Sequence, residues 1–384
     1  MSNWGPLQER YETKRPRKIL ALDGGGIRGV ITLEILAEIE KQLKQKLNRG
    51  DDFRLSDYFD YIGGTSTGAI IAAGLSIGMK VQELLDFYLE KGKDMFDKNF
   101  LLKQWKALYE AGPLITMLKD TFGADTDLDI TKGKFRCLLM VCTMNRSTDS
   151  PWPISNNPLA KYNSKDRPDN NTKIKLYQLV RASTAAPVYF PPETLQWDPN
   201  DPEKTFVFVD GGVTPYNNPA FLLYKMATQP AYNLEWEIGE DKLLVVSVGT
   251  GSAESPGAYR NLVHTLKGLP DNLMRAMQVD QDINCRTVGR CTYGAPIDKE
   301  LSHMIPMDRD GNMLELGQDT KRHFLYMRYN ADLSEEGLDQ LGLRGIESDH
   351  VREMDSVKHL RDLQAVGKAV AATQVSMSHF GPFV

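Results

Sequence analysis

Ser66 lies at the centre of a G-x-S-x-G pattern, which reads G-T-S-T-G at residues 64–68. An apolar and aromatic run precedes it and an alanine- and isoleucine-rich run follows it, which predicts a strand, a sharp turn and a helix. A serine at such a turn sits in strained backbone, projects its hydroxyl outward and can serve as a nucleophile. Gly64 and Gly68 have no Cβ, so the strand and the helix can approach closely beneath the turn.

A glycine-rich turn comes earlier, where the apolar run at 18–22 leads into D-G-G-G-I-R-G at 23–29 and then an amphipathic helix from 31 to 47. Amide N–H groups and the helix dipole converge at such a turn and favour an anion. Two chemistries fit: a bound phosphate, or an oxyanion hole for a tetrahedral intermediate. No ribose-binding acid follows the next strand and no G-K-[ST] closes the turn. A turn without chemistry is the remaining interpretation.

Asp210 follows a predicted strand at 206–209 and begins the sequence D-G-G at 210–212. An acid at the carboxyl end of a buried strand is placed at the sheet edge where sites form, although Asp-Gly is also a common turn. A serine nucleophile needs a base, and none of the histidines lies in a context that resembles a catalytic loop. A carboxylate held about 3 Å away in a dry site could take the proton directly, and desolvation would raise its pKa. The histidines are His264, His303, His323, His350, His359 and His379.

The composition and charge of the chain limit the partners and the cellular location that we expect. Of 384 residues, 41% are hydrophobic and 25% are charged, and the net charge is -5, which gives no reason to expect DNA or RNA as a partner. Contact with an anionic membrane would have to rest on apolar surface. The start of the chain lacks the apolar region of a secretory signal, and no run is long enough to span a bilayer. The four cysteines show no metal-binding spacing, so we expect reduced core cysteines, a cytoplasmic protein, and no metal or cofactor.

Predicted strands alternate with predicted helices, which indicates an α/β fold with three layers (α/β/α) and a mainly parallel central sheet. We expect a single domain over 1–384, with a core at about 18–251 and a C-terminal extension, 252–384, packed on it. Residues 145–171 are predicted to be a long irregular segment. A helix is predicted at 262–281, broken or kinked at Pro270. The apolar helical region 79–122 fits either a packed helix pair or a cap that touches lipid.

The three motifs, in their order along the chain, resemble those of the patatin-like phospholipases, and the resemblance covers about residues 18–251. It includes R-A-S-T-A-A-P at 181–187, which is similar to the family's helix before the catalytic-acid strand. The resemblance implies a patatin-like fold and a Ser-Asp dyad that hydrolyses acyl esters of lipids without histidine. It implies that Ser66 is the nucleophile, that Asp210 is the base with Gly211 and Gly212 in support, and that Gly24, Gly25, Gly26 and Arg28 form or support the oxyanion hole.

The function expected from this resemblance is a phospholipase A type hydrolase that acts at a phospholipid membrane surface through an acyl-enzyme. The region after residue 251 is similar to bacterial members of the family, some of which are effectors switched on by cyclic oligonucleotides in phage defence. A cyclic oligonucleotide is therefore a candidate activator, and the oligomeric state stays open. Two alternatives remain: a soluble esterase or thioesterase with the same dyad, and a non-catalytic storage or anion-binding protein.

Overall fold

The computed structural model describes residues 3–96, 113–187, 190–198, 200–253, 262–308, 310–315 and 322–384. These residues form a nine-stranded sheet in the order β5-β6-β3-β2-β1-β7-β9-β8, and β4 also pairs with β3. The strands are β1 (Arg17–Leu22), β2 (Tyr61–Thr65), β3 (Leu138–Asn145), β4 (Ser150–Ser155), β5 (Glu193–Gln196), β6 (Thr205–Asp210), β7 (Leu243–Val248), β8 (Arg290–Tyr293) and β9 (Leu325–Tyr329).

Six neighbouring strands, from β3 to β8 in the spatial order, run parallel to one another. Every residue of β2, β7 and β9 is buried, as expected for strands that helices cover on both faces. The remaining strands β4, β5 and β6 pair antiparallel with their neighbours. The predicted α/β fold with a mainly parallel sheet is therefore confirmed.

Helices pack on both faces of this sheet. Successive residues of a strand point to opposite faces, and a Cβ at Gly63 would meet Leu223 whereas a Cβ at Gly64 would meet Gly68. The helix that carries Leu223 therefore lies on one face and the helix that follows Ser66 lies on the other, which gives the three layers. The α-helices are Gln8–Glu12, Gly29–Lys46, Leu55–Tyr58, Thr67–Ser76, Val81–Phe96, Pro113–Phe122, Leu176–Ser183, Ala220–Thr228, Leu262–Val288, Glu335–Gln340, Ser348–Arg352 and Leu360–Gln374.

One local prediction was wrong and another was incomplete. Residues 145–171 contain strand β4, whose prolines Pro151 and Pro153 are tolerated because β3 is its only partner in the described sheet. The helix predicted at 262–281 continues through Pro270 to Val288. Its last turns bury the ion-paired Asp282 and Arg286, so the apolar periodicity that predicts helices fails there.

The helical region predicted at 79–122 is described in part. Helices Val81–Phe96 and Pro113–Phe122 contact each other, and Leu84, Tyr88 and Leu118 are buried. The described part thus packs as a helix pair, while residues 97–112 lie outside the described residues. None of the described helices combines the length and apolar character needed to span a membrane.

Apolar residues from both ends of the chain share one buried cluster. Ile19 and Leu22 of β1 lie in it together with Val245 of β7, Tyr329 of β9 and Phe380 near the C-terminus. Strands β8 and β9 belong to the extension predicted at 252–384, yet they extend the same sheet. A single domain over 1–384 stays a prediction, which cooperative unfolding would test.

Candidate active site

Ser66 occupies the turn between β2 and the helix Thr67–Ser76. Its backbone is at φ 55° and ψ −123°, a conformation that L-residues other than glycine rarely adopt. A Cβ at Gly64 would lie 2.1 Å from the carbonyl oxygen of Gly68, and a Cβ at Gly68 would lie 2.3 Å from that of Leu22. Glycine at both positions lets the strand and helix close beneath the serine and hold it in the strained conformation.

Asp210 reaches Ser66 because β2 and β6 approach each other end to end along one edge of β3. Thr65 of β2 pairs with Cys142, and Asp210 of β6 pairs antiparallel with the next residue, Thr143. The Ser66 Oγ–H donates a hydrogen bond to Asp210 Oδ2 at 2.6 Å. The acid therefore arrives on an antiparallel strand and not on the parallel part of the sheet.

The second carboxylate oxygen of Asp210 is also held. The Gly212 N–H donates to Oδ1 at 2.7 Å, and a Cβ at Gly211 would lie 2.3 Å from the Cys142 carbonyl oxygen. Burial raises the pKa of Asp210 to about 6, although the hydrogen bonds from Ser66 and Gly212 and the charge of Arg181 lower it. The carboxylate is thus largely ionised at neutral pH, and it is basic enough to accept a proton.

Ser183 holds the backbone of Ser66. The Ser66 N–H donates to Ser183 Oγ at 3.0 Å, and the Ser183 hydroxyl donates to the Cys142 carbonyl at 2.6 Å. Two residues on, the Ala185 carbonyl accepts the Asp210 N–H at 2.9 Å. Sequence reasoning gave Ser183 no role and missed this contact. The only sequence feature that could have indicated this contact is the hydroxyl of Ser183, the third residue of R-A-S-T-A-A-P.

The glycine turn lies against Ser66, since a Cβ at Gly24 would lie 3.1 Å from Ser66 Cβ. The Gly24 N–H donates to the Asn217 carbonyl at 3.1 Å, and its own carbonyl accepts the Thr250 hydroxyl at 2.9 Å. Among the residues that the structure describes, the N–H groups of Gly25 and Gly26 have no hydrogen-bond acceptor. These two amides, and not that of Gly24, are free to bind an oxyanion.

Arg28 contacts the glycine turn and the helix Ser348–Arg352. Its backbone N–H donates to the Gly25 carbonyl at 3.2 Å and its Nη1 donates to the Arg352 carbonyl at 2.9 Å. It also lines a cavity of about 260 Å³ together with Asn217 and Met354. Arg28 therefore links the turn to the helix Ser348–Arg352, and its predicted support of the oxyanion hole stays a prediction.

The Thr67 N–H is a further candidate oxyanion donor that sequence reasoning did not name. In serine hydrolases with this elbow, the amide of the residue after the nucleophile contributes to the oxyanion hole. Thr67 begins its helix, so its N–H has no intrahelical acceptor, and no other acceptor is found within the described part of the chain. The G-x-S-x-G motif alone could have indicated this donor, because it places Thr67 directly after Ser66.

The histidines whose side chains are described have contacts elsewhere. The His323 ring bonds the Tyr224 hydroxyl, and the His379 ring bonds the Tyr329 hydroxyl. His350, His359 and Asp362 place their donor atoms within 4.8 Å of one another. The two rings stack at 3.8 Å and 18°, so one ion could not lie in the plane of both, and we infer no metal site from this cluster.

The model of the patatin-like phospholipase family matches residues 20–224, which is more than half of the chain. The chain belongs to this family, as the three motifs predicted. Among curated proteins it is 35% identical over 217 residues to a cGAMP-activated phospholipase of Escherichia coli (strain TW11681), a match that covers 54% of this chain and 55% of that protein. It is 30% identical over 247 residues to Patatin group M-3 of Solanum tuberosum, covering 61% and 60%. The matches thus span little more than half the length of these relatives.

Solved structures give weaker similarity. Human GIVD cytosolic phospholipase A2 aligns with a TM-score of 0.41 and 12% identity, covering 95% of this chain and 61% of that one. VipD from Legionella pneumophila aligns with a TM-score of 0.34 and 13% identity, covering 92% and 67%. Values this low support no statement about the activity of this chain.

Proposed function

We propose that this chain is a lipid acyl hydrolase of the phospholipase A type that cleaves acyl esters of membrane phospholipids with Ser66 and Asp210. The observation that carries the proposal is the 2.6 Å hydrogen bond from the Ser66 hydroxyl to Asp210, with two uncommitted glycine amides on the neighbouring turn. Membership of the patatin-like phospholipase family supports a lipid as the substrate.

In the first half-reaction, Ser66 Oγ attacks the acyl carbonyl while its proton passes to Asp210 Oδ2. The carbonyl oxygen becomes an oxyanion that accepts hydrogen bonds from the Gly25 and Gly26 amides and from the Thr67 amide. The ester bond then breaks, and the departing alkoxide, a lysophospholipid, takes the proton from Asp210. Ser66 is left as an acyl ester.

In the second half-reaction, Asp210 takes a proton from water as the water oxygen attacks the acyl-enzyme. The tetrahedral intermediate collapses with release of the fatty acid, and the proton returns from Asp210 to Ser66 Oγ. No group beyond the dyad, the amides and water is needed to balance either step.

A lipid surface is proposed as the place of action because the family is one of phospholipases and because an apolar side chain close to Asp210 is exposed. Val213 directly follows the two glycines and is 46% exposed, so it could contact acyl chains. The net charge of -5 gives no electrostatic attraction to anionic lipids. We therefore expect binding that depends little on the charge of the vesicle.

The test is lipid mass spectrometry on phosphatidylglycerol–phosphatidylethanolamine vesicles treated with the wild type, Ser66→Ala and Asp210→Asn. The wild type should release fatty acid and lysolipid, and each variant should lose nearly all of this activity. Ser76→Ala is the matched control, because Ser76 is a buried serine at the end of the helix that follows Ser66, and among the described residues its hydroxyl bonds only the Ala73 carbonyl. Full activity in either dyad variant would refute the proposal.

Two further assays, hydrolysis of short-chain esters and labelling by a serine-reactive fluorophosphonate, separate the two alternatives. A soluble esterase with this dyad would hydrolyse monomeric short-chain esters with no increase in rate when micelles or vesicles are added. A non-catalytic anion-binding protein would hydrolyse neither, and a serine-reactive fluorophosphonate would fail to label Ser66.

We include a gate operated by a cyclic oligonucleotide, in antiphage defence, in this proposal. Its support is the relative whose name states activation by cGAMP, together with the danger that an ungated phospholipase poses to its own host. Thermal-shift and vesicle assays with cyclic di- and trinucleotides test it. A thermal shift and a rise in fatty-acid release with one of them would support the gate, and no response to any of them would remove it without affecting the dyad.

A further inference from the structure

The residue that opens the glycine turn, Asp23, is 1% exposed and carries a carboxylate that needs a buried partner. Arg328 supplies it with a two-pronged contact, from Nη1 to Oδ1 at 3.2 Å and from Nη2 to Oδ2 at 2.6 Å. Arg328 is itself 6% exposed, so both charges are shielded from water. A fork-to-fork pair of this kind fixes direction as well as distance.

Arg328 reaches Asp23 across an intervening strand. It lies on β9 and pairs in register with Ser247 of β7, which pairs with Ala21 of β1, two residues before Asp23. On its way across β7 the guanidinium donates to Ser247 Oγ at 2.6 Å. The family model matches residues 20–224, so Arg328 lies outside the matched part of the chain. Its side chain nevertheless contacts Asp23, the first residue of the glycine turn.

A second layer of charges holds the arginine in place. Asp282 lies 3.8 Å from Arg328 Nε, accepts two hydrogen bonds from Arg286 at 2.9 and 2.8 Å, and accepts the Tyr326 hydroxyl at 2.9 Å. Two buried carboxylates thus face two buried guanidinium groups. Because the charges balance, the network can stay ionised inside the fold.

The turn has other anchors, but within the described residues none of them pairs with the Asp23 carboxylate. The Asp23 N–H donates to the Val248 carbonyl at 3.1 Å, and the Gly24 carbonyl accepts the Thr250 hydroxyl at 2.9 Å. On one side the Gly24 amide bonds the Asn217 carbonyl, and on the other the Ile27 amide bonds the Met354 carbonyl. The free amides of Gly25 and Gly26 lie between these bonds, and Asp23 is adjacent to the first. If the Asp23 carboxylate lost its partner, it would have to turn toward water or take up a proton, and the backbone that presents the free amides would move with it.

We propose that Arg328 is a positioning residue for the glycine turn, which it holds through Asp23 so that the Gly25 and Gly26 amides face the acyl carbonyl at Ser66. This inference rests on the proposed hydrolase function for its kinetic consequence, although the position of the two amides can be measured without it. Arg328 touches no substrate. Its proposed effect on the glycine turn passes through the Asp23 carboxylate.

A cavity beside Arg328 makes its contact with Asp23 testable with a small cation. It has a volume of about 180 Å³ and is lined by Arg328, Asp282 and Asn330 among others. Removing the arginine side chain to Cβ would enlarge this space beside Asp23. Guanidinium or methylguanidinium added to the solution could then enter and bind the two carboxylates in place of the lost group.

The kinetic experiment compares the wild type, Arg328→Ala and Arg328→Lys on a soluble p-nitrophenyl ester. We expect Arg328→Ala to lower kcat by about tenfold to a hundredfold with little change in KM, since misplaced oxyanion donors act on the transition state. Millimolar guanidinium should restore part of kcat. Arg328→Lys should lie between, because lysine keeps the charge and loses the fork.

Arg290→Ala is the matched control. Arg290 is also buried, on the neighbouring strand β8, and its described contacts are Glu240 and the Glu315 carbonyl, neither of which lies in the glycine turn. It should lower thermal stability to a similar extent and leave kcat within about twofold of the wild type. Guanidinium should not raise its kcat.

A second readout does not depend on hydrolysis. The chain has four Gly–Gly pairs, so ¹³C′/¹⁵N glycine labelling selects the amides of Gly25, Gly26, Gly64 and Gly212 in the NMR spectrum. Arg328→Ala should shift the Gly25 and Gly26 signals and guanidinium should shift them back, with Gly64 and Gly212 much less affected. This result is measurable even if no ester proves to be a substrate, which separates failure of this inference from failure of the proposed function.

Three outcomes would overturn the inference. The first is a folded Arg328→Ala protein with wild-type kcat and unchanged Gly25 and Gly26 signals. The second is a loss of kcat that Arg290→Ala reproduces, which would show a general effect of stability. The third is a loss that guanidinium does not restore while the two glycine signals stay in place.

Discussion

At the scale of single residues, the dyad combines two unfavourable states. Ser66 has a positive φ, and Asp210 is a buried carboxylate whose pKa burial raises to about 6. Each costs folding free energy that the surrounding sheet must offset. Two nearby hydrogen bonds offset part of this cost. The Gly212 N–H donates to Asp210, and the Ser66 N–H donates to Ser183.

The raised pKa of Asp210 predicts the pH dependence of hydrolysis. As the proposed base, Asp210 must be ionised, so kcat/KM should rise as the pH is raised through about 6 and then become constant. Below that pH the rate should fall about tenfold per pH unit. Initial rates on a soluble ester at several pH values measure this, and a profile that is flat down to pH about 4 would argue against Asp210 as the base.

The same pKa predicts how the variant Asp210→Asn changes stability. Because the folded pKa of about 6 lies above the ordinary value of 3.8, the contribution of Asp210 to stability is full below pH 3.8 and is lost as the pH rises through 6. Asparagine does not titrate. The free energy of unfolding of the variant minus that of the wild type should therefore increase by up to about 3 kcal/mol between these pH values. Urea unfolding at each pH measures the difference, and a constant difference would contradict the pKa.

At the scale of elements, the arrangement of β2, β3 and β6 brings the dyad together. Two strands that run toward each other along one edge of β3 bring their last residues side by side, so Ser66 and Asp210 meet although 143 residues separate them in the chain. The two turns that follow these strands, with their glycines, then fit beneath the serine and beside the acid. Small changes at these turns should have large effects.

Gly64→Ala tests the close approach of β2 and its helix. Its Cβ would lie 2.1 Å from the backbone oxygen of Gly68, which cannot move without displacing the helix, so we expect a loss of about 3 kcal/mol or more in unfolding free energy. Gly345→Ala is the control, because a Cβ there meets nothing within 4 Å and its φ is not positive. It should be neutral or slightly stabilising. Equal effects in both variants would mean that the turn is looser than the structure shows.

At the scale of the whole molecule, both parts of the chain contribute to one sheet and one buried cluster. The cysteines report on both parts: Cys137 and Cys142 lie at β3, and Cys285 and Cys291 lie near β8. Burial raises the pKa of Cys137 and Cys142 to about 12, and burial also raises the pKa of Cys285 and Cys291. Thiols of this kind react slowly until the chain unfolds.

Pulsed thiol labelling across a urea gradient should therefore show all four cysteines becoming reactive at the same midpoint. Mass spectrometry of the labelled peptides assigns each site without any mutation. One midpoint would support the predicted single domain over 1–384. Separate midpoints for the pair at β3 and the pair near β8 would show that the extension unfolds as its own unit.

The sequence by itself determined the local parts of this site. Glycine patterns are dictated by backbone geometry within a few residues, so the turns at Gly24–Gly26 and at Ser66, and the strands before them, could be predicted from neighbouring residues. The family and the mainly parallel sheet also followed from motifs and from the alternation of strands and helices. The same local reasoning failed where a buried face is polar, as at Asp282 and Arg286.

Only the tertiary structure decided which of these parts meet, and how. That Asp210 arrives on an antiparallel strand, that the Gly24 amide is already bonded, and that Arg328 anchors Asp23 are all contacts between residues far apart in the chain. Such contacts depend on strand order and register, which no spacing within a single motif encodes. The sequence motifs therefore predicted which residues could take part in catalysis, whereas only the tertiary structure showed how these residues are arranged in space.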